Sequence, residues 1–128
     1  MYLTVDFDDK RPLYQQVVDG VKELIARGEL KEGMTLPSVR QVAGDLGVNL
    51  NTIAVAYRQL QEEGFLAVRH GSGAVVKARR SEAAADEELR KGLRAALTQL
   101  VLAGLRERDI VSMVRQELAV VGGKGEPK

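Results

Sequence analysis

The chain has 128 residues, no cysteine, 45% hydrophobic residues, and 19 Lys and Arg against 18 Asp and Glu, a net charge of +1. That length allows one small domain with an appendage, and the lack of cysteine excludes disulfides and thiolate metal sites and fits a reducing cytoplasm. The near balance of charge argues against a protein that merely coats nucleic acid. No apolar stretch is long enough to cross a bilayer, and the start, MYLTVDFDDK, is acidic and alternating, unlike a signal peptide.

In chain order, Thr4 to Phe7 suggest a short strand or an ordered arm. Pro12 is expected at the first helical position after Asp9, and Leu13, Val17, Val21, Leu24 and Ile25 follow on one face until Gly28 closes the helix. GELKEGMTLP reads as a loop broken by Gly33 and Pro37, with room for a short strand at Thr35 and Leu36. Ser38 precedes Gln41 by three positions, the pattern of a capping box. Val39, Val42, Ala43 and Leu46 then recur at helical spacing, and Gly47 suits a left-handed C-terminal turn. Asn49 can cap the next helix, whose apolar face is Ile53, Ala56, Tyr57 and Leu60 before Gly64 ends it. Its other face carries Leu50, Asn51, Ala54, Arg58 and Gln61.

Phe65 to Arg69 read as a strand and Ala74 to Lys77 as its partner, joined by HGSG. With Lys77, Arg79 and Arg80 the hairpin makes a basic wing, although an isolated solvent-facing hairpin would look the same. Short helix, glycine turn, longer half-polar helix and hairpin together predict a winged helix-turn-helix over residues 1–78, a mostly α fold with a small β wing. Its commonest job is to place one helix in the DNA major groove. From Ser38 to Arg80, Arg40, Arg58, Arg69, Lys77, Arg79 and Arg80 outnumber Asp45, Glu62 and Glu63. Such a local basic footprint suits site-specific binding, as it would an ordinary solvated face. Tyr14, Tyr57 and Phe65 read as core or core-edge residues, which argues against single-strand binding by base stacking.

At ARRSEAAADEE the composition shifts, marking a second domain over residues 79–121. Leu89, Leu93, Ala96, Leu97 and Leu100 form one stripe, broadened by Val101 and Leu102. After Gly104, Ile110, Val111, Met113, Val114 and Leu118 form another. Two helices cannot bury such wide faces against each other alone. A homodimer is therefore expected through Leu89, Leu93, Leu97, Leu100, Ile110, Val114 and Leu118, the alternative being a hairpin folded back on its own winged domain. Residues 122–128, GGKGEPK, read as a disordered tail.

The landmarks Gly, Leu-Pro-Ser, Arg, Leu-Gly-Val, Asn-Thr, Ala-Tyr, Leu, Glu-Gly and Gly-x-Gly occur in order between Gly28 and Val76, and in them the chain resembles the GntR family of bacterial transcription regulators. The resemblance covers Leu3 to about Lys77. The remaining residues are too few for the larger ligand-binding or aminotransferase-like domains of many members. The two-helix tail resembles the short YtrA-like subfamily, in which the tail serves mainly to dimerise.

The resemblance implies a cytoplasmic, nucleoid-associated repressor that binds a pseudo-palindromic double-stranded operator. It implies that Arg40 contacts the operator, that Asn49, Asn51 and Thr52 open the recognition helix, and that His70 and Gly71 form a wing tip reaching the minor groove. With Ser38, Leu50, Arg58 and Arg69, these make the expected DNA-contacting set. Leu50 and Ala54 depart from the pattern, since many relatives carry Arg or Lys there. Base readout then rests on Asn51, on Leu50 against a thymine methyl, on Arg58, or on DNA shape.

His70 is the sole histidine and has no neighbouring Cys or His, so no metal site is expected, nor any cofactor. With no cysteine, no phosphate loop and no paired acid and base, nothing can be assigned as a catalyst. The competing reading is a winged-helix module for protein association, docking a partner on Leu50, Ala54 and Val55. A small-molecule effector, if one acts, would sit at the junction, residues 78–88.

Overall fold

Val17, Val18, Val21 and Leu24 recur at three- and four-residue spacing, and in the computed structural model that stripe is almost wholly buried. The structure describes residues 3–69, 73–77 and 83–122, with Arg69 and residues 83–85 described by backbone alone. The chain divides into two units, Met1–Arg79 and Arg80–Lys128.

The first unit runs α1 (Leu13–Ala26), α2 (Val39–Leu46), α3 (Leu50–Glu62), β1 (Leu66–Arg69) and β2 (Gly73–Val76). The α1 stripe packs with Val42, Ala43, Ile53, Ala56, Leu60, Leu66 and Val76 in one core. Val18, absent from the predicted face, is fully buried there. Pro12 proves to be the N-cap, with φ −55° and ψ 148°, so the helix starts at Leu13. Its extended ψ lets the Pro12 carbonyl accept from the Gln15 and Gln16 amides at 3.0 and 3.2 Å. Just upstream, the Asp9 carboxylate accepts from the Arg11 amide at 2.9 Å.

Thr4 to Phe7 form an arm without strand pairing. The buried Gln16 side chain satisfies the arm, its Oε1 accepting from the Asp6 amide at 2.7 Å and its Nε2 donating to the Asp6 carbonyl at 3.0 Å. Leu3 and Val5 pack on the core beside it.

Ser38 Oγ accepts from the Gln41 amide at 3.1 Å. The return bond of the capping box is not made, so the cap is one-sided. Gly47 ends α2 at φ 70° and ψ 35°. There a Cβ would strain the backbone, whereas at Gly44, inside α2, a Cβ would meet nothing within 4 Å. Gly44→Ala is therefore expected to stabilise the unit by about 0.5–1 kcal/mol, and Gly47→Ala to destabilise it by about 1 kcal/mol. Urea unfolding of the two variants should show opposite signs, and equal signs would refute the assignment of the turn.

In α3, Asn49 Oδ1 accepts from the Asn51 amide at 2.7 Å, and Ile53, Ala56, Tyr57 and Leu60 are all buried. β1 and β2 are antiparallel, with Leu66 opposite Val76 and Arg69 opposite Gly73. Gly73 thus belongs to the strand and not to the connection, its φ of 84° being open to glycine. The strand expected at Thr35 and Leu36 is a single bridge, Thr35 opposite Val75. Three backbone bonds flank it, from Gly33 to Val76, Val76 to Met34 and Leu36 to Ala74, at 2.8 to 2.9 Å.

The second unit holds α4 (Ala83–Leu102) and α5 (Glu107–Val120), with Gly104 at φ 95° in the turn between them. The Asp109 carboxylate accepts from the Arg106 amide at 3.0 Å and closes the start of α5. No described side chain of either helix is buried. Leu93, Leu97 and Val101 on α4 face a groove of about 740 Å³ with Ile110, Val114 and Leu118 on α5. Leu89 is exposed and Leu100 half-buried, both outside the groove lining. Among the described residues, no helix is long and apolar enough to cross a membrane. The expected tail disorder falls, from Gly123 onward, outside the described residues.

Candidate nucleic-acid interface

Burial of Ile53, Ala56, Tyr57 and Leu60 fixes the rotation of α3 and turns Asn51 and Arg58 outward. Leu50 lies on the flank of that outer face and is 44% exposed. Asn49 and Asn51 are exposed at the helix start, and Thr52 is half-buried. The side-chain oxygen of Asn49 is engaged in its cap, which leaves the amide NH₂ as its free donor. Ser38 is in a similar position: its oxygen accepts from Gln41, while its hydroxyl proton remains free to donate.

Ser38 and Val39 at the start of α2, Ala54, Tyr57, Arg58 and Gln61 on α3, and Val68, Gly73 and Ala74 on the hairpin line one concavity of about 300 Å³. The structure thus brings Ser38 and Arg58 of the expected set together. Arg40, Asn49, Leu50, Asn51 and Thr52 lie outside that lining, with Arg40 exposed on α2. Arg69 ends β1, its side chain outside the described residues, as are His70 and Gly71. Of the junction named as an effector position, residues 78–88, the part from 78 to 82 is outside them too. Val68, 57% exposed, was missed by sequence reasoning. It shares a strand face with buried Leu66, and only the reach of the hairpin past the core separates the two.

Tyr57 holds α2 and α3 in register, its hydroxyl donating to the Pro37 carbonyl at 2.7 Å just before the Ser38 cap. Burial pushes its phenol from 10.0 up to about 12. Below pH 10 the phenol is protonated in both folded and unfolded chains. Between about pH 10 and 12 the unfolded chain loses the proton first, so stability falls across that window by about 2 kcal/mol. Tyr57→Phe should lack this alkaline loss while being less stable at neutral pH by about 1 kcal/mol. Denaturant unfolding at stepped pH measures both effects, and an unchanged alkaline slope in the variant would refute the role.

Residues 13–76, half of the chain, match the family model for bacterial regulatory proteins, gntR family. The HTH-type transcriptional repressor YtrA of Bacillus subtilis is 35% identical over 58% of this chain and 57% of its own length. This chain thus spans little more than half of that relative. A transcriptional antiterminator from Listeria monocytogenes EGD-e has a crystal structure similar over 100% of this chain and 98% of its own, at TM-score 0.88 and 26% identity. The AraR DNA-binding domain in complex with operator ORX1 matches 59% of this chain and 98% of its own, at TM-score 0.54 and 26% identity. With that match across the whole helix-turn-helix and wing, the chain belongs to the gntR family of bacterial regulatory proteins.

Proposed function

We propose that the chain is a homodimeric, sequence-specific DNA-binding transcription regulator, acting as a repressor at a pseudo-palindromic operator. One observation carries the reading: α3 turns Asn51 and Arg58 outward beside the Ser38-lined concavity, on a fold shared with an operator-bound domain. In this reading α3 enters the major groove, with Asn49, Leu50, Asn51, Thr52 and Arg58 nearest the bases. Ser38 and Arg40 hold the backbone, and Arg69, His70 and Gly71 carry the wing to the minor groove. The tail of residues 79–121 joins two copies, so that half-sites lie about 10 bp apart or a multiple of that. The protein works in the cytoplasm on the nucleoid and catalyses no reaction.

The test is selection of duplexes from a random pool by the full chain, followed by affinity measurements across a salt series. A two-fold related site should emerge, with affinity falling steeply as salt rises. Arg40→Ala should weaken binding to all sequences alike, and Asn51→Ala should change the selected sequence. Equal losses on operator and random DNA for both variants would contradict that division. The exposed Leu50 and Val68 favour a second reading, a protein-docking module. Salt-insensitive behaviour with no selected site would support it instead.

A further inference from the structure

Leu50 is the first residue of α3, 44% exposed, and Ala54 follows one turn later on the same flank. Around Leu50 the chemistry is sparse. The Asn49 oxygen already caps the helix, Asn51 offers one free carboxamide, and Arg58 stands two turns further on. Glu62, exposed at the far end of α3, repels phosphates and disfavours a deep approach by that end. The end of α3 that meets bases therefore presents a branched apolar group beside a carboxamide, without a cation.

We propose that Leu50 is a specificity-determining residue that reads the C5-methyl group of a thymine, fixing one position in each half-site. This rests on the DNA-binding reading above. The thymine methyl is the one apolar feature that a base edge offers in the major groove. Leucine against guanine would bury O6 and N7 without donors, and against cytosine it would bury the amino group without an acceptor. Selection thus works through attraction to one base and exclusion of the others. Asn51, next along the helix, has the bidentate geometry for adenine, so the two residues together favour an A·T-rich half-site core.

The experiment uses the full chain and the operator obtained by selection, with each thymine replaced singly by deoxyuridine, which differs only in lacking the methyl. One thymine per half-site should stand out, its replacement weakening wild-type binding about fourfold, as expected for one buried methyl-sized group. Leu50→Ala, whose fold is checked by circular dichroism, should bind the thymine and uracil operators equally at that position. The proposal is overturned if no thymine shows a methyl effect, or if the same effect persists in Leu50→Ala. Failure to select any operator overturns the DNA-binding reading and this proposal with it, whereas a selected operator without a methyl effect overturns this proposal alone.

Discussion

Leu93→Glu combined with Leu118→Glu is expected to yield a folded monomer whose affinity for a two-half-site operator is lower by about 10²–10⁴-fold. Both residues line the groove between α4 and α5, and they are 54% and 47% exposed in the single chain. Carboxylates at those positions remain hydrated in a monomer, so helix content should hold. In an isologous dimer the same positions would be buried on both copies, and each chain would bring two unpaired charges into the interface. The affinity loss follows from the geometry of linkage: once one half-site is engaged, the second binds at a millimolar effective concentration only if the two copies are joined. Sedimentation velocity reads the first effect and fluorescence anisotropy the second, with a single half-site duplex as control. That control should be bound equally by wild type and variant. A wild type that sediments as a monomer, or a variant that stays dimeric, would remove the tail as the joining surface.

Ile53→Ala should destabilise the winged domain by about 2–5 kcal/mol, a large share of the stability of a small domain. Ile53 is 0% exposed and sits in the core shared with α1 and α2, where a deleted side chain leaves a cavity that rigid helices refill poorly. Leu50→Ala, one turn away on the open flank of the same helix, should fall within about 0.5 kcal/mol of wild type. Tyrosine emission reports this unit alone, because Tyr2, Tyr14 and Tyr57 all precede residue 79 and there is no tryptophan. A loss below about 1 kcal/mol for Ile53→Ala would mean that α3 is not seated as described.

The helix boundaries were legible where side chain and backbone carry one message. Ser38, Gly47, Asn49 and Gly64 each mark an end by a local hydrogen bond or a positive φ, and such features need no tertiary partner to be read. Gln16 was not legible. A buried glutamine at a helix position looks like a surface residue until the arm bearing Asp6 folds over it. Pro12 suits both the cap and the first helical turn, and only its ψ decides between them. Gly73 was assigned to the connection because glycine signals a turn, whereas strand pairing with Arg69 claims it. In the candidate interface, periodicity identified the outward face of α3, but a concavity shared by α2, α3 and the hairpin depends on long-range packing that no local pattern encodes.

The three backbone bonds linking Gly33, Met34 and Leu36 to β2 make the hairpin a cantilever clamped at its root. The same bonds join β2 to the segment that leads into α2, where the Tyr57 hydroxyl, from α3, donates to the Pro37 carbonyl. The recognition-type helix α3 and the hairpin are thus held to one short segment, residues 33–37, so a change there would disturb both at once.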